Sequence, residues 1–274
     1  MRILAGILVF LSLGLSSAFA TSIVAVRNSD EIVIGADSKT TLTLVQSGGQ
    51  TSLTKCKIVQ AGDLFFASAG SAGIGPAGLP GNISPEFDLK ETIAAELRGD
   101  GTMKEKVDRL EKVLVADLTR IAEKVKQDNP SFFLQKFVNA PVHTVIVGGT
   151  DKGELVLMVR TFSLISSPFR PLSFVVGRFT CPGDCRGPFV TIFEGRTEEI
   201  KEYLQQHELF LHYADPVTAV RDLVGIEVEK DPSSVGPPID ILRLTRKGAE
   251  WVQRKPLCPD IQKGPSGDRG SGGG

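Results

Sequence analysis

Residues 18–26 have the sequence AFATSIVAV, in which a small-residue cleavage motif runs directly into an apolar, β-branched segment typical of a buried strand. Upstream, Arg2 supplies a positive charge and residues 3–15 form a mostly apolar run, which together are typical of a secretory signal peptide. That run is too short to span a membrane comfortably. We therefore expect residues 1–20 to be a signal peptide and Thr21 to be the first residue of a secreted or periplasmic protein.

The charge balance gives no reason to expect nucleic acid or, once the signal peptide is removed, a membrane surface as a partner. The chain has 31 Lys and Arg residues against 32 Asp and Glu residues, a formal net charge of -1. A hydrophobic content of 41% can fill the core of a large domain. We expect that domain to span residues 21–255, and residues 256–274, which end in a Gly- and Ser-rich run, to form a disordered tail.

The cysteines, Cys56, Cys181, Cys185 and Cys258, would enter an oxidising compartment on export, so one or two disulfides are expected. The segment from Cys181 to Cys185 could close a small loop or contribute metal ligands. We favour the loop disulfide, because there is no nearby His and no second Cys pair at metal-site spacing. The pairing of the other cysteines stays open. The sequence predicts neither a metal nor a cofactor.

Apolar, β-branched segments bounded by turn residues predict strands over residues 21–26, 31–36, 57–60, 64–70, 142–148, 154–162, 172–179 and 239–244. Apolar residues that recur at three- and four-residue steps predict helices over residues 88–97, 104–126, 197–209 and 216–229. Runs of strands followed by pairs of helices favour an α+β fold. In this fold, helices cover both outer faces of two stacked antiparallel sheets, which gives a four-layer αββα sandwich.

Several short elements occur in a fixed order along the chain: TSIVAV from Thr21, IVIGADS from Ile32, a Lys-Ile pair at Lys57, Ala-Gly ending at Gly70 and Asp-x-x-Ser from Asp231 to Ser234. This pattern resembles the proteasome β-subunit family of N-terminal-nucleophile (Ntn) hydrolases, including its simpler bacterial members. That family places an Asp sixteen residues after its threonine, which corresponds to Asp37 here. The resemblance covers residues 21 to about 247.

The resemblance implies the Ntn-hydrolase fold and an exported threonine hydrolase that cleaves amide bonds, and most simply peptide bonds, through an acyl-enzyme on Thr21. Asp37 and Lys57 would then lie beside the nucleophile, and the backbone N–H of Gly70 would donate to the oxyanion. Asp231 and Ser234 would orient the α-amine. The family also suggests a homo-oligomeric ring, formed without a metal or cofactor.

The chemistry of an N-terminal threonine supports this interpretation independently. A hydroxyl and a free α-amine would lie on the same residue, so the amine could accept the hydroxyl proton. An α-amine has a reference pKa near about 7.7 to 8.0, so a useful fraction is neutral at physiological pH. A Lys57 ammonium held by Asp37 would favour the alkoxide form of Thr21 and would disfavour protonation of the amine.

Three alternatives and one departure from the family pattern remain at this level. Lys55 lies two residues before Lys57 and would share its strand face, although the register favours Lys57. The serine that the family carries near its third helix has no counterpart in residues 193–197, which have the sequence FEGRT. The same nucleophile would also serve a small-amide amidohydrolase, and a catalytically silent assembly or binding protein could keep the fold without the chemistry.

Overall fold

The computed structural model describes residues 21–43, 50–70, 89–138, 141–165, 171–187 and 189–262. The predicted signal peptide therefore lies outside the described residues. No helix in the described ranges is long and apolar enough to cross a membrane.

The strands of the described residues are β1 (Ser22–Arg27), β2 (Glu31–Ala36), β3 (Lys39–Thr43), β4 (Gln50–Thr54), β5 (Ile58–Ala61), β6 (Leu64–Gly70), β7 (Pro141–Asp151), β8 (Glu154–Ile165), β9 (Ser173–Cys181), β10 (Val190–Gly195), β11 (Asp240–Thr245) and β12 (Gly248–Gln253). The helices are α1 (Leu89–Arg98), α2 (Met103–Asp128), α3 (Pro130–Lys136), α4 (Glu198–Gln206), α5 (Phe210–Tyr213) and α6 (Pro216–Lys230).

The strands form two five-stranded antiparallel sheets and a separate hairpin. One sheet has the order β10-β1-β2-β11-β12, and the other has the order β5-β6-β7-β8-β9. Strands β3 and β4 pair only with each other. Strand β1 is central in its sheet because it pairs with β10 on one side and with β2 on the other. The start of β1, where Thr21 lies, is therefore held from both sides.

Three hydrophobic layers hold the sandwich together. One lies between the two sheets, one lies between the second sheet and α1, α2 and α3, and one lies between the first sheet and α4 and α6. Strand β1 contributes to two of them: Ile23 and Ala25 point into the layer between the sheets, and Val24 and Val26 point toward α4 and α6. Burial on both faces explains why β1 is continuously apolar and does not alternate with polar residues. Each of the buried Ile and Val side chains contributes roughly 1.5–3 kcal/mol.

The predicted four-layer αββα sandwich is confirmed, and the predicted strands and helices are present with shifts of a few residues at their ends. Five features were missed: the β3–β4 hairpin, β10, β12 and the two short helices α3 and α5. Strands β10 and β12 form the two edges of the first sheet and are only partly buried, so their sequences lack the strong apolar pattern of β1.

The predicted start of the tail at residue 256 is wrong. Cys258 is buried and bonded to Cys56, with 5.5 Å between their Cα atoms, and Ile261 packs against the layer between the sheets. The backbone N–H of Gln262 also donates to the side chain of Gln60 at 2.7 Å. The chain is therefore packed against the domain at least as far as Gln262. The rest of the predicted tail lies outside the described residues.

The structure contains the predicted loop disulfide between Cys181 and Cys185 in addition to the bond between Cys56 and Cys258. The first closes a loop with a sequence separation of 4, and the second joins residues with a separation of 202. Cys56 and Cys258 are the two cysteines that the predicted loop bond leaves over, but the sequence expectation of one or two disulfides left open whether they bond to each other.

Candidate active site

Thr21, Asp37 and Lys57 come together at one end of the space between the sheets. Antiparallel pairing of β1 with β2 matches Ile23 with Ala36, so Ser22, the first residue of β1, lies opposite Asp37, and Thr21 is the next residue along. Two hydrogen bonds extend that pairing: the backbone N–H of Asp37 donates to the carbonyl of Ser22 at 3.2 Å, and the N–H of Ser22 donates to Asp37 Oδ1 at 2.9 Å. Lys57 directly precedes β5 in the other sheet.

Asp37 is fully buried and anchors the site. Its Oδ1 accepts from Ser22 N and from Lys57 Nζ, the latter at 2.5 Å. Its Oδ2 accepts from the backbone N–H of Lys39 at 2.9 Å and of Gly236 at 3.1 Å. Four donors match the roughly four acceptor positions of a carboxylate, so the buried charge is compensated on all sides.

Lys57 Nζ lies 3.0 Å from Thr21 Oγ1, and both residues are buried. The pKa of Lys57 is lowered from 10.5 to about 8. Burial is the main cause, and the charge of Lys255 adds to the lowering, whereas the charge and hydrogen bond of Asp37 oppose it. The lysine nitrogen can therefore gain or lose its proton close to physiological pH. Lys55 has an exposed side chain, so the structure brings Lys57, and not Lys55, to Thr21.

Two glycines allow the backbone to pack closely around Thr21. Gly195, the last residue of β10, has φ +85, and a Cβ there would overlap the carbonyl of Thr21 and come within 3.4 Å of Ala69 Cβ. The end of β6 therefore lies beside Thr21. Gly70 follows directly with φ +114, and a Cβ at this position would overlap the carbonyl of Val142. Both conformations favour glycine.

Asp231 and Ser234 form a second polar group in the loop after α6. The backbone N–H of Ser234 donates to Asp231 Oδ1 at 3.2 Å, and Ser233 Oγ donates to the same oxygen at 2.5 Å. Arg196 connects this group to the nucleophile. Its guanidinium lies 3.5 Å from Asp231 Oδ2 and donates to Ser234 Oγ at 3.5 Å, and its backbone N–H donates to the carbonyl of Thr21 at 2.7 Å.

The loop that carries Asp231 is fastened to the segment after β2. Lys39 Nζ donates to the carbonyls of Pro232 and Ser233 at 2.8 and 2.5 Å, and the N–H of Ser38 donates to the carbonyl of Gly236 at 2.9 Å. Sequence reasoning missed Lys39, Gly195 and Arg196. Only Gly195 has a recognisable sequence signal, because a glycine directly after an apolar run commonly marks a backbone position with positive φ.

One group of residues in the described chain has the ligand types of a metal site. Ligand atoms of Cys56, Asp240 and Cys258 all lie within 4.8 Å of one another. The two sulfurs are bonded to each other, so neither is available as a thiolate, which is the form of cysteine that binds metals. The geometry at Thr21 consists instead of a hydroxyl, an ammonium and a carboxylate.

The fold and this constellation define an αββα sandwich with a buried Thr-Lys-Asp group at the end of a central strand. Neither a protein-family model nor a curated protein matches the sequence. Solved structures that are similar to the chain include two Anbu proteins. Anbu (ancestral beta-subunit) from Yersinia bercovieri is 17% identical over 84% of this chain and 87% of that chain, with a TM-score of 0.42. Anbu from Hyphomicrobium sp. strain MC1 is 19% identical over 85% and 86%, with a TM-score of 0.45.

These findings correct the family assignment made from the sequence. The chain was assigned to the proteasome β-subunit family of Ntn hydrolases, as an exported bacterial-type member. That assignment is wrong: no family model matches, and the similar structures are Anbu proteins that are less than 20% identical to this chain. The likeness concerns the fold alone.

Proposed function

We propose that removal of residues 1–20 converts this chain into a hydrolase that cleaves amide bonds, with peptides as substrates, through an ester on Thr21. The observation that carries the proposal is the buried chain of contacts from Asp37 to Lys57 at 2.5 Å and from Lys57 to Thr21 Oγ1 at 3.0 Å. A lysine ammonium at hydrogen-bond distance from a hydroxyl stabilises the alkoxide that attacks a carbonyl.

Processing supplies the base. While residue 20 is attached, the nitrogen of Thr21 is part of a peptide bond and cannot accept a proton. After cleavage it is an amine, and the neighbouring Lys57 ammonium disfavours its protonation. The two disulfides support export as the route to this cleavage, because such bonds persist in oxidising compartments. A secreted or periplasmic location is therefore part of the proposal.

The reaction proceeds in two stages. The α-amine takes the proton of Thr21 Oγ1 as this oxygen attacks the substrate carbonyl carbon, and the carbonyl oxygen becomes an oxyanion. The carbon–nitrogen bond then breaks, the leaving nitrogen takes the proton from the α-amine, and an ester remains on Oγ1. In the second stage, water gives a proton to the α-amine and attacks the ester carbonyl, and Oγ1 leaves and regains that proton.

The other predicted residues have supporting roles in this scheme. Gly70 ends β6 beside Thr21 and is the proposed oxyanion donor through its backbone N–H. Asp231 and Ser234 are proposed to orient the amine region through Arg196, whose backbone N–H holds the Thr21 carbonyl. The predicted homo-oligomeric ring stays a prediction.

The test begins with the N-terminus of the exported protein, determined by mass spectrometry. We expect it to be Thr21. The processed protein is then treated with a peptide epoxyketone, a reagent that forms a ring only with a hydroxyl and a free amine on one residue. We expect one label per chain on the wild type and on Thr21→Ser, and none on Thr21→Ala.

Two controls make the result specific. Thr150→Ala, at an exposed position of β7, should label like the wild type. A chain that retains residues 1–20 should not label. A different N-terminus, or equal labelling of Thr21→Ala and wild type, would contradict the proposal. Hydrolysis of peptides compared with that of small primary amides then distinguishes a peptidase from a small-amide amidohydrolase.

A further inference from the structure

A second buried lysine–aspartate pair lies beside the first. Lys255 Nζ is 2.7 Å from Asp240 Oδ2, and the two side chains are 1% and 0% exposed. The backbone N–H of Lys255 also donates to Asp240 Oδ1 at 2.8 Å. The scheme proposed above for Thr21 does not use either residue. Burial of two charges is costly unless both are well paired, so the presence of this pair requires an explanation.

The pair contacts both segments that carry the candidate active site. Asp240 begins β11 and is matched with Ala36 of β2, the residue directly before Asp37. Lys255 Nζ donates to the carbonyl of Lys55 at 2.7 Å, two residues before Lys57. The Lys255 ammonium is therefore held next to the backbone that positions Lys57, and its charge acts on Lys57 through space.

A disulfide fastens the segment that carries Lys255. The N–H of Cys258 donates to the carbonyl of Lys255 at 3.1 Å, and Cys258 is bonded to Cys56, which directly precedes Lys57. Asp240 Oδ2 lies 3.4 Å from Cys258 Sγ. Residues 55 and 56 are thus both held by the segment that follows β12, one through its carbonyl and the other through a covalent bond.

We propose that Lys255 is a positioning residue for the reaction at Thr21: together with Asp240 and the Cys56–Cys258 disulfide, it fixes the backbone of residues 55–57 and places a second positive charge behind Lys57. This inference rests on the function proposed for Thr21. Asp37, directly after β2, and Lys255, after β12, are among the charged groups that act on Lys57. The Thr21 amine joins them after processing.

The two members of the pair should act on Lys57 in opposite directions. Loss of the Lys255 charge removes a repulsion, so Lys57 should bind its proton more tightly. Loss of the Asp240 charge leaves Lys255 uncompensated, so Lys57 should bind its proton less tightly. A purely structural role would instead make both variants defective in the same way.

The test follows the titration of Lys57 by NMR in processed protein that contains ¹³C-labelled lysine, with a Lys57→Arg variant to assign the resonance. The wild-type midpoint is expected near pH 8. We expect Lys255→Met to move it to higher pH, Asp240→Asn to move it to lower pH and Lys255→Arg to leave it nearly unchanged. The matched control is Lys106→Met, which removes another buried lysine. Lys106 lies on α2, and its Nζ is 3.2 Å from Asp63 Oδ1. This control should leave the midpoint unchanged.

Shifts of both variants in one direction, or no shift, would overturn the inference. If a single variant does not fold, the double variant Lys255→Met/Asp240→Asn replaces it, because it leaves no buried charge unpaired. The double variant lacks the hydrogen bond from Lys255 to the carbonyl of Lys55. Its rate of epoxyketone labelling should therefore fall by at least about tenfold at every pH. An unchanged rate would overturn the inference. Because the titration requires no catalysis, it can succeed even when labelling of Thr21 fails, so the two proposals can be rejected separately.

Discussion

The two buried lysine–aspartate pairs of this protein have almost the same geometry and different surroundings. Lys57 lies 2.5 Å from Asp37, and Lys255 lies 2.7 Å from Asp240. The difference is in what else each lysine contacts. Lys57 donates to the hydroxyl of Thr21, which can lose a proton, whereas Lys255 donates to a backbone carbonyl, which cannot. The chemistry of a buried ion pair therefore depends on its third partner, and burial alone does not indicate a reactive site.

The largest expected effect comes from neutralising the aspartate of each pair in turn. Both Asp37→Asn and Asp240→Asn leave a buried lysine without its counter-charge, so each should lower the free energy of unfolding by about 3–5 kcal/mol. Only Asp37→Asn should also lower the rate of Thr21 labelling by about 100-fold or more, because it removes the group that holds Lys57 against the nucleophile. Urea unfolding measures the first quantity and epoxyketone labelling the second.

A single outcome would remove the distinction between the pairs. Suppose that Asp240→Asn remained folded and abolished labelling as completely as Asp37→Asn. The group that each lysine contacts besides its aspartate would then not be what distinguishes the candidate active site from the supporting ion pair. Thr21→Ala is the reference for complete loss, since this variant keeps both ion pairs and lacks only the hydroxyl.

Removal of the Cys56–Cys258 disulfide should loosen the Lys255 pair together with the backbone of residues 55–57. The bond joins residues with a sequence separation of 202, so its loss through a double Cys→Ser variant should cost about 3–5 kcal/mol of stability. The matched control replaces Cys181 and Cys185, which close a loop with a separation of 4, and should cost about 2 kcal/mol or less. Denaturant unfolding of both variants gives the comparison. Equal costs would show that the long bond does not fasten the segment after β12.

The close packing of the backbone around Thr21 can be tested with two glycines of similar conformation. Gly195 has φ +85 and Gly153 has φ +82, but an added Cβ at Gly153 meets nothing within 4 Å. Gly153→Ala should therefore cost only the conformational penalty of positive φ, about 1 kcal/mol. Gly195→Ala should cost about 1–3 kcal/mol more, because the Thr21 carbonyl must move, and should also slow labelling. Equal stability and full activity would contradict the close packing at Thr21.

The sequence predicted the Thr21 side of the molecule better than the Lys255 side for a physical reason. Asp37 and Lys57 follow Thr21 within 36 residues, on segments whose apolar patterns and turns are visible locally. Lys255 and Asp240 follow the last strand of the second sheet in the chain, and the residues that they contact are as far as 200 positions away in the sequence. Local periodicity carries no information on such contacts.

Arg196 shows the same limit on a smaller scale. The family resemblance predicts a serine in residues 193–197 and gives Arg196 no role. The structure instead uses its backbone N–H to hold Thr21 and its guanidinium to reach Asp231. It follows β10, an edge strand whose partly buried residues gave no strand prediction. When a strand is not recognised in the sequence, its pairing register cannot be assigned. The residues that the strand positions are then missed as well.

The smallest predicted effect concerns Glu194, a partly buried carboxyl close to Thr21 in the fold. Glu194 precedes Gly195 and takes a hydrogen bond from Thr144, on β7 in the opposite sheet. Burial raises its pKa from 4.5 to about 7, and the hydrogen bond from Thr144 and the charge of Lys201 only partly oppose this. The partly buried carboxyl of Glu194 therefore keeps its proton up to near-neutral pH.

The sign of the resulting pH dependence follows from the raised pKa of Glu194. Between pH 4.5 and about 7 the folded protein binds a proton that the unfolded chain has released, so this group's contribution to stability is lost as the pH rises through that window. Glu194→Gln should remove this part of the slope, as measured by urea unfolding at several pH values from 4.5 to 7.5. Glu154→Gln, at an exposed position of β8, should retain it. An unchanged slope in Glu194→Gln would mean that Glu194 ionises in the fold as readily as in water, and that a carboxyl at this end of the sandwich does not require a lysine to carry its charge.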